Sequence, residues 1–468
     1  MDRHPSLAQG GVPAMSKVRT HDIIVIGAGF AGLSAAASLV DSGRRVVVIE
    51  ASNRLGGRAS SFRDGVTGEW VDNGQHVLFG CYHETRQFLE RIGSIRHLRL
   101  QPQLDVTSID AMGQRHRLVC PPLKPPLNLL AGFLEWDALS FLDRCAVFRL
   151  ASPLALARRE LSEASGIRAA SPGETVHSWL RRYGQTPRLR ELLWEPLALA
   201  ALNQSPSVAA APTFVRILAK MVGTTPSDSG VALPIRPLEQ FYATPARTFI
   251  ESHGGEVRTG NAGRVNVNGL GVYEIEAGSD RFLAPVVIAA VPWYALTNLF
   301  LSGPPAPLAE MLASAEATES SPIVTVNLWL DRPVLDVPFL GLPGRQMQWL
   351  FDKRQLFGHT ASHLSLVSSG SAAMIGLSNR TVVQHAAELI REALPAARFA
   401  TVRRATVVRE PRATFSLAPG QPLRPATETA LPGFLLAGDW IDTGLPATIE
   451  SAVVSGHRAA EAALKLAS

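Results

Sequence analysis

Two stretches of this chain are candidates for a chemical role. In Gly27-Ala28-Gly29-Phe30-Ala31-Gly32, three glycines stand at the spacing of a phosphate cradle. The first makes a tight turn, the second lets backbone approach a pyrophosphate, and the third lets a helix pack closely on a strand. The helix that follows offers unpaired N–H groups and a partial positive charge to the phosphates. Glu50, with Ala51 after it, closes the next apolar run, where an acid accepts hydrogen bonds from a ribose. That chemistry is the binding of an ADP-containing dinucleotide. The second stretch, Asp72-Asn73-Gly74-Gln75-His76, concentrates polar side chains beside a glycine and ahead of the apolar Val77-Leu78-Phe79. Such a pattern suits a site better than a loop, although Asp72 could cap a turn and His76 could be a hydrogen-bonded core histidine.

The elements that must position these residues are legible around them. Ile23-Ile24-Val25-Ile26 has the length and β-branching of a buried parallel strand. Leu33 to Val40 is small and apolar and reads as a helix that Gly43 ends, and Val46 to Ile49 is a second buried strand. Strand, turn, helix, strand and acid in that order are far more specific than glycine spacing alone. At 468 residues the chain is too long for one simple core, and two domains are expected. Strands are expected within 98–119, 265–275, 285–291, 321–330, 348–352, 363–368 and 401–409. Helices are expected over 82–92, 191–202, 214–221, 237–253 and 382–394, with two more between Leu127 and Ala157. After Pro292 the chain is read as a helix, and 410–430, rich in proline, as a crossing back.

Arg54-Leu55-Gly56-Gly57-Arg58, just after Glu50, resembles the second fingerprint of the amine oxidase and phytoene desaturase superfamily of FAD proteins. The resemblance implies FAD rather than NAD, with Arg58 against the pyrophosphate as a permanently charged planar donor. It extends to Gly438-Asp439 behind the apolar Phe434 to Leu436, and to the helix start at Ala447, Thr448 and Ile449. There Asp439 would meet the ribityl or pyrophosphate region, and the helix N-terminus would face the flavin pyrimidine. Backbone near Gly263 to Val265 would hold the adenine end. Asn73, Gly74 and Gln75 would run past the flavin ring. The implied fold is α/β: a discontinuous Rossmann-like FAD-binding domain (21–95, 225–292, 430–468) and a second α+β substrate domain with apolar helices (96–224, 293–429), after a disordered leader (1–20).

The segment from Asp72 to His76, followed by Gly80-Cys81-Tyr82, is similar to the narrower group of hydroxysqualene dehydroxylases. That likeness implies reduction of hydroxysqualene to squalene and water in hopanoid synthesis, with a long-chain isoprenoid substrate and neighbouring squalene-pathway enzymes as partners. Hydroxide leaves poorly, so an acid must protonate the departing oxygen; His76 is the first candidate, with Asp72 and Tyr82 behind it. The nearest rival is a carotenoid-type desaturase. An amine oxidase would call for a lysine near the flavin from the strand around 321–333, and none is present. A flavin-binding membrane-surface protein without catalysis is the reading from another class.

Apolar content of 46% and charged content of 18% exclude a disordered chain. The net charge of +5 comes mostly from Arg, since only five of the 45 basic residues are Lys. Either codon bias or a surface facing anionic lipid explains it, and no basic block with interleaved aromatics suggests nucleic acid. Cys81, Cys120 and Cys145 are odd in number and lack CxxC spacing, which points to a reducing, cytoplasmic compartment and no metal centre. Residues 1–20 lack the apolar core of a secretory signal, and Met15 could be an alternative start. No run of eighteen apolar residues exists to span a membrane. The cluster Leu129, Leu130, Phe133, Leu134 and Trp136 beside Lys124 is read either as helical core or as a peripheral attachment to the inner membrane.

Overall fold

A computed structural model of the chain describes residues 18–162, 167–267 and 271–467. Its centre is a parallel five-stranded sheet in the order Glu256–Arg258, Val46–Ile49, Ile23–Ile26, Val286–Ala289, Phe434–Leu436. Ile23 to Val25 and Val46 to Val48 are at most 1% exposed, as strands covered on both faces must be. The helix Phe30–Asp41 follows the first strand directly. Small residues let it pack against the C-terminal helix Ile449–Leu466: a Cβ on Gly456 would lie 2.3 Å from the Ala31 carbonyl oxygen.

A seven-stranded, largely antiparallel sheet forms the second layer. Its order is Val402–Phe415, Ser320–Leu330, Ser362–Ser369, Trp349–Asp352, Phe339–Gly341, Asp105–Ile109, Arg115–Val119. Side chains alternate across it. Val324, Val326 and Leu328 pack with Val382, Ala386 and Ile390 of the helix Asn379–Ala393. Ile323, Thr325, Phe351 and Val367 turn to the other face and border a large cavity.

Several elements differ from the sequence reading. Val18–Thr20, assigned to the leader, is a strand paired with Asp280–Ala284; residues 1–17 lie outside the described residues. Leu98–Leu100 joins Val231–Pro234 and Leu78–Phe79 in a separate three-stranded sheet. The apolar run after Pro126 forms three helices, Leu127–Glu135, Phe141–Val147 and Ala151–Arg159. The break falls where Ser140 and Asp143 make a capping box, a start signal hidden among apolar neighbours. After Pro292 come short 3-10 turns, Trp293–Ala295 and Thr297–Leu299, in place of a helix. The helices expected over 191–202 and 237–253 both begin with a π turn, Arg190–Trp194 and Glu239–Ala243. The strand expected to stop at Arg409 runs on to Phe415, because the backbone keeps pairing with Ser320–Leu330 across a bulge.

Candidate active site

The cavity, about 780 Å³, runs from the glycine cluster to the face of the seven-stranded sheet. At its polar end lie Gly27, Gly29, Phe30, Ala31, Glu50, Ala51, Gly56, Gly57 and Arg58, together with Gly438, Asp439, Ala447, Thr448 and Ile449. Residues more than 350 positions apart in the chain therefore face one space. Gly27 has φ +107°, and a Cβ there would lie 2.4 Å from the Ala290 oxygen; on Gly32 a Cβ would lie 1.9 Å from the Gly27 oxygen. Those glycines are required by the protein itself. Gly29 is different. Its backbone is extended (φ −83°, ψ −174°), open to any residue, and the nearest protein atom to a Cβ would be 3.9 Å away. It caps the helix Phe30–Asp41 with no side-chain acceptor for the first N–H groups. A cradle free of protein before an uncapped helix start fits a pyrophosphate.

The second glycine pair is braced by a residue that sequence reasoning missed. Tyr242 stacks on Phe30 at 3.5 Å and donates its hydroxyl to the oxygens of Gly56 and Ala59. Glu50 accepts from the Ala28 and Ser52 N–H groups, which fix its carboxylate at the cavity wall. Arg58 ion-pairs with Asp439 and donates to the Ala413 oxygen.

Four expected site residues do not border the cavity. Arg54 is exposed outside the cavity lining, and Gly32 is buried where helix meets strand. Val265 is 1% exposed in the core, and its neighbours Ala262, Gly263 and Arg264 form the wall instead. Asp72 is 4% exposed and its carboxylate is fully engaged. It accepts from Ser61 Oγ at 2.7 Å, from the Leu238 N–H at 3.1 Å and from Lys353 Nζ at 2.9 Å. It is a brace beneath the site.

Lys353 is the second residue the sequence did not reveal. It stands at the start of a short helix, Lys353–Phe357, outside the strand inspected for a lysine. It is 1% exposed, binds Asp72 and the Gln75 Oε1, and lies 4.2 Å from the Phe357 ring centroid. Burial lowers its pKa, and the Asp72 charge opposes that shift. Its ammonium is thus spent on holding the turn that carries Gln75 and His76. The only available signal was that lysine is scarce here and this one follows a strand.

Asn73, Gly74, Gln75 and His76 all border the cavity where its polar and apolar ends meet. Gly74 turns at φ +87° opposite Thr325, a residue 1% exposed whose hydroxyl has no hydrogen-bond partner among the described residues. His76 Nδ1 lies 3.1 Å from the Gly74 oxygen. A carbonyl only accepts, so Nδ1 carries the proton and Nε2 is left for a ligand. Burial lowers the His76 pKa, reinforced by Lys353 and Arg58 and opposed by Asp72 and the Gly74 oxygen. His76 is partly buried and borders the cavity. Burial pushes the Tyr82 phenol well above its ordinary range, so it remains a neutral group. Glu410, from the continued strand, is a further cavity carboxylate and accepts from Asn73 Nδ2 at 3.2 Å. Cys81 is buried away from the cavity, its thiol pushed up to about 12 by burial.

The apolar end is formed by the helices over 190–202, through Leu192, Leu193, Pro196 and Leu197, and by Phe339, Trp349 and Phe351 of the sheet. It offers shape and dryness with few polar groups.

Comparison with known proteins agrees with this layout. The flavin containing amine oxidoreductase family model matches residues 30–464. A hydroxysqualene dehydroxylase from Sinorhizobium fredii is 30% identical over 95% of this chain and 98% of its own length. A 15-cis-phytoene desaturase of Solanum lycopersicum is 23% identical, over 94% of this chain and 77% of its own. The structure of cyclohexylamine oxidase from Brevibacterium oxydans superposes with a TM-score of 0.68 at 18% identity, covering 95% of this chain and 99% of that one. The chain belongs to the flavin containing amine oxidoreductase family, and it is an oxidoreductase whose cofactor is FAD.

Proposed function

We propose that the chain is a reductive dehydroxylase of a long-chain isoprenoid alcohol, converting hydroxysqualene and two reducing equivalents to squalene and water. The observation that carries this reading is the single cavity joining the dinucleotide cradle to an apolar chamber, with His76 at the junction. The name of the Sinorhizobium relative supports the same substrate. On this reading the segments 21–95, 225–292 and 430–468 hold the cofactor, and 96–224 with 293–429 hold the substrate. The squalene so made would serve hopanoid synthesis.

Reduced FAD, when bound, supplies the hydride. The protein has to make hydroxide a tolerable leaving group. The imidazolium of His76, its Nδ1–H held by Gly74, donates from Nε2 to the departing oxygen, which leaves as water. The Thr325 hydroxyl, buried without a partner on the facing strand, is a second group able to orient that oxygen. Aliphatic walls exclude bulk water, so the allylic cation is not recaptured by it.

The tomato desaturase relative supports the rival reading, oxidation of a carotenoid in the same chamber. The two differ in the direction of electron flow. Photoreduced enzyme mixed anaerobically with hydroxysqualene is expected to regain flavin absorbance and to form one squalene per flavin. Persistent reduced flavin, with turnover of phytoene by the oxidised enzyme, would select the desaturase.

Among the described residues no helix is long and apolar enough to cross a membrane. For peripheral attachment the exposed side chains differ in part from those the sequence suggested, Leu134 being common to both. Trp136 is 4% exposed, and Leu129 and Phe133 pack against the core. Phe141 and Leu142, at 77% and 74%, stand free on the next helix, with Leu127 and Leu134 also exposed and Lys124 and Arg149 nearby in sequence. We infer that this face enters the interface of an anionic membrane. The double change Phe141→Ser, Leu142→Ser should weaken sedimentation with anionic vesicles at least tenfold, since each such side chain contributes about 1.5–3 kcal/mol on full burial. FAD content should stay at the wild-type level, and unchanged vesicle binding would exclude this face.

A further inference from the structure

The face of Ser320–Leu330 that borders the cavity through Ile323 and Thr325 continues through Asn327 and Trp329. Trp329 lies about 13 Å along the strand from Thr325, at roughly 3.3 Å per residue. There three side chains from separate segments converge. Glu69 comes from the turn before the strand Trp70–Asp72, His363 from Ser362–Ser369, and His359 from the loop before it. One carboxylate oxygen, Glu69 Oε2, lies 3.4 Å from His359 Nδ1 and 3.7 Å from His363 Nδ1.

Among the described residues neither nitrogen has a hydrogen-bond partner, and the His363 side chain is 0% exposed. His363 Nε2 lies 3.0 Å from Asn327 Oδ1, an acceptor, so its proton sits on Nε2 and Nδ1 presents a bare lone pair to the cluster. The carboxylate accepts from Trp329 Nε1–H at 2.6 Å, while the Trp329 ring stacks on His363 at 4.2 Å.

We propose that Glu69, His359 and His363 form a binding site for a first-row divalent transition ion of the zinc class. Two neutral imidazoles and a carboxylate are its ordinary donors. Ligand bonds of about 2.0–2.2 Å in tetrahedral array put donor atoms roughly 3.3–3.6 Å apart; here both imidazole nitrogens stand 3.4 and 3.7 Å from the carboxylate oxygen, and all three donor atoms lie within 4.8 Å of one another. Asn327 fixes the His363 tautomer as the outer partner of a metal-bound imidazole does. The Glu69 side chain is 20% exposed and that of His359 15%, which leaves a way in and room for water as a further ligand. The ion would fasten the hairpin that leads into Asp72 to the second sheet. It does not depend on which reaction the cavity carries out.

The test is zinc titration of chelator-treated, FAD-loaded enzyme by calorimetry, with cobalt as a spectroscopic probe. One saturable zinc per chain, a melting temperature raised by zinc, and visible cobalt bands of low-symmetry coordination are expected. Glu69→Gln and His359→Asn should each weaken zinc binding at least a hundredfold, and Asn327→Leu about tenfold to a hundredfold. Wild-type flavin absorbance and zinc-free melting in the variants would show that they fold. Absence of a saturable site, or zinc binding that survives both ligand changes, would overturn the assignment.

Discussion

Gly29→Val is expected to give a folded but colourless protein. The backbone at Gly29 is one that valine adopts freely, and no protein atom lies nearer than 3.9 Å to the position of its Cβ. The added methyl groups can therefore go only into the cradle in front of the helix Phe30–Asp41, where the pyrophosphate must approach the backbone. Losing that approach should weaken FAD binding a thousandfold or more, about 4 kcal/mol. The 450 nm to 280 nm absorbance ratio of purified variant reports it, and FAD added back should not restore colour. The variant should melt like FAD-stripped wild type. Gly32→Val is the contrasting case: its Cβ would meet the Gly27 oxygen at 1.9 Å, so that chain should fail to fold rather than fail to bind. A yellow Gly29→Val protein would show that the glycine cluster is not the phosphate site.

His76→Ala should retain FAD and fold while single-turnover squalene formation falls about a hundredfold to ten-thousandfold, the usual contribution of a general acid. The proton must be on Nε2 for donation. Burial lowers the His76 pKa below its ordinary value of 6.5, so the ring is mostly neutral at pH 7. The wild-type rate should then rise as pH falls, by up to tenfold per unit, and level off below the lowered pKa. The alanine variant should lack that limb. A wild-type pH profile in His76→Ala would transfer the acid's role to the cavity carboxylate of Glu410. Linkage has the opposite sign for stability. A histidine whose folded pKa is lowered stabilises fully above the unfolded value near 6.5, and that stability is lost as pH falls towards the folded pKa. His76, His359 and His363 all act in this direction, so the pH that favours protonation also loosens the fold.

What could be read from the chain was what local backbone geometry demands. The turn at Gly27, the close packing at Gly32 and the Glu50 carboxylate are needs of adjacent residues, so they leave a mark within a short window. The capped start of the last helix at Thr448 is of the same kind. The helix faces after Pro126 could not be assigned, because both sides of that run are apolar. Periodicity marks a buried stripe only where the other stripe is polar. Packing against Trp194 turns Phe133 inward, while Phe141 on the next helix stays exposed.

A dinucleotide cradle, an FAD-type second fingerprint and a polar turn at 73–76 are legible in the chain, since each is a continuous segment with its own backbone requirement. Only the tertiary structure decided what those segments do together. It set Arg58 against Asp439 across 381 positions and spent Asp72 on Lys353 across 281, removing one expected acid from the cavity. It carried the strand on to Glu410, and it gathered Glu69, His359 and His363 at one point. Buried charges and lone pairs must find partners wherever the fold brings them. That choice is made by sheet order and register, which no short stretch of sequence encodes.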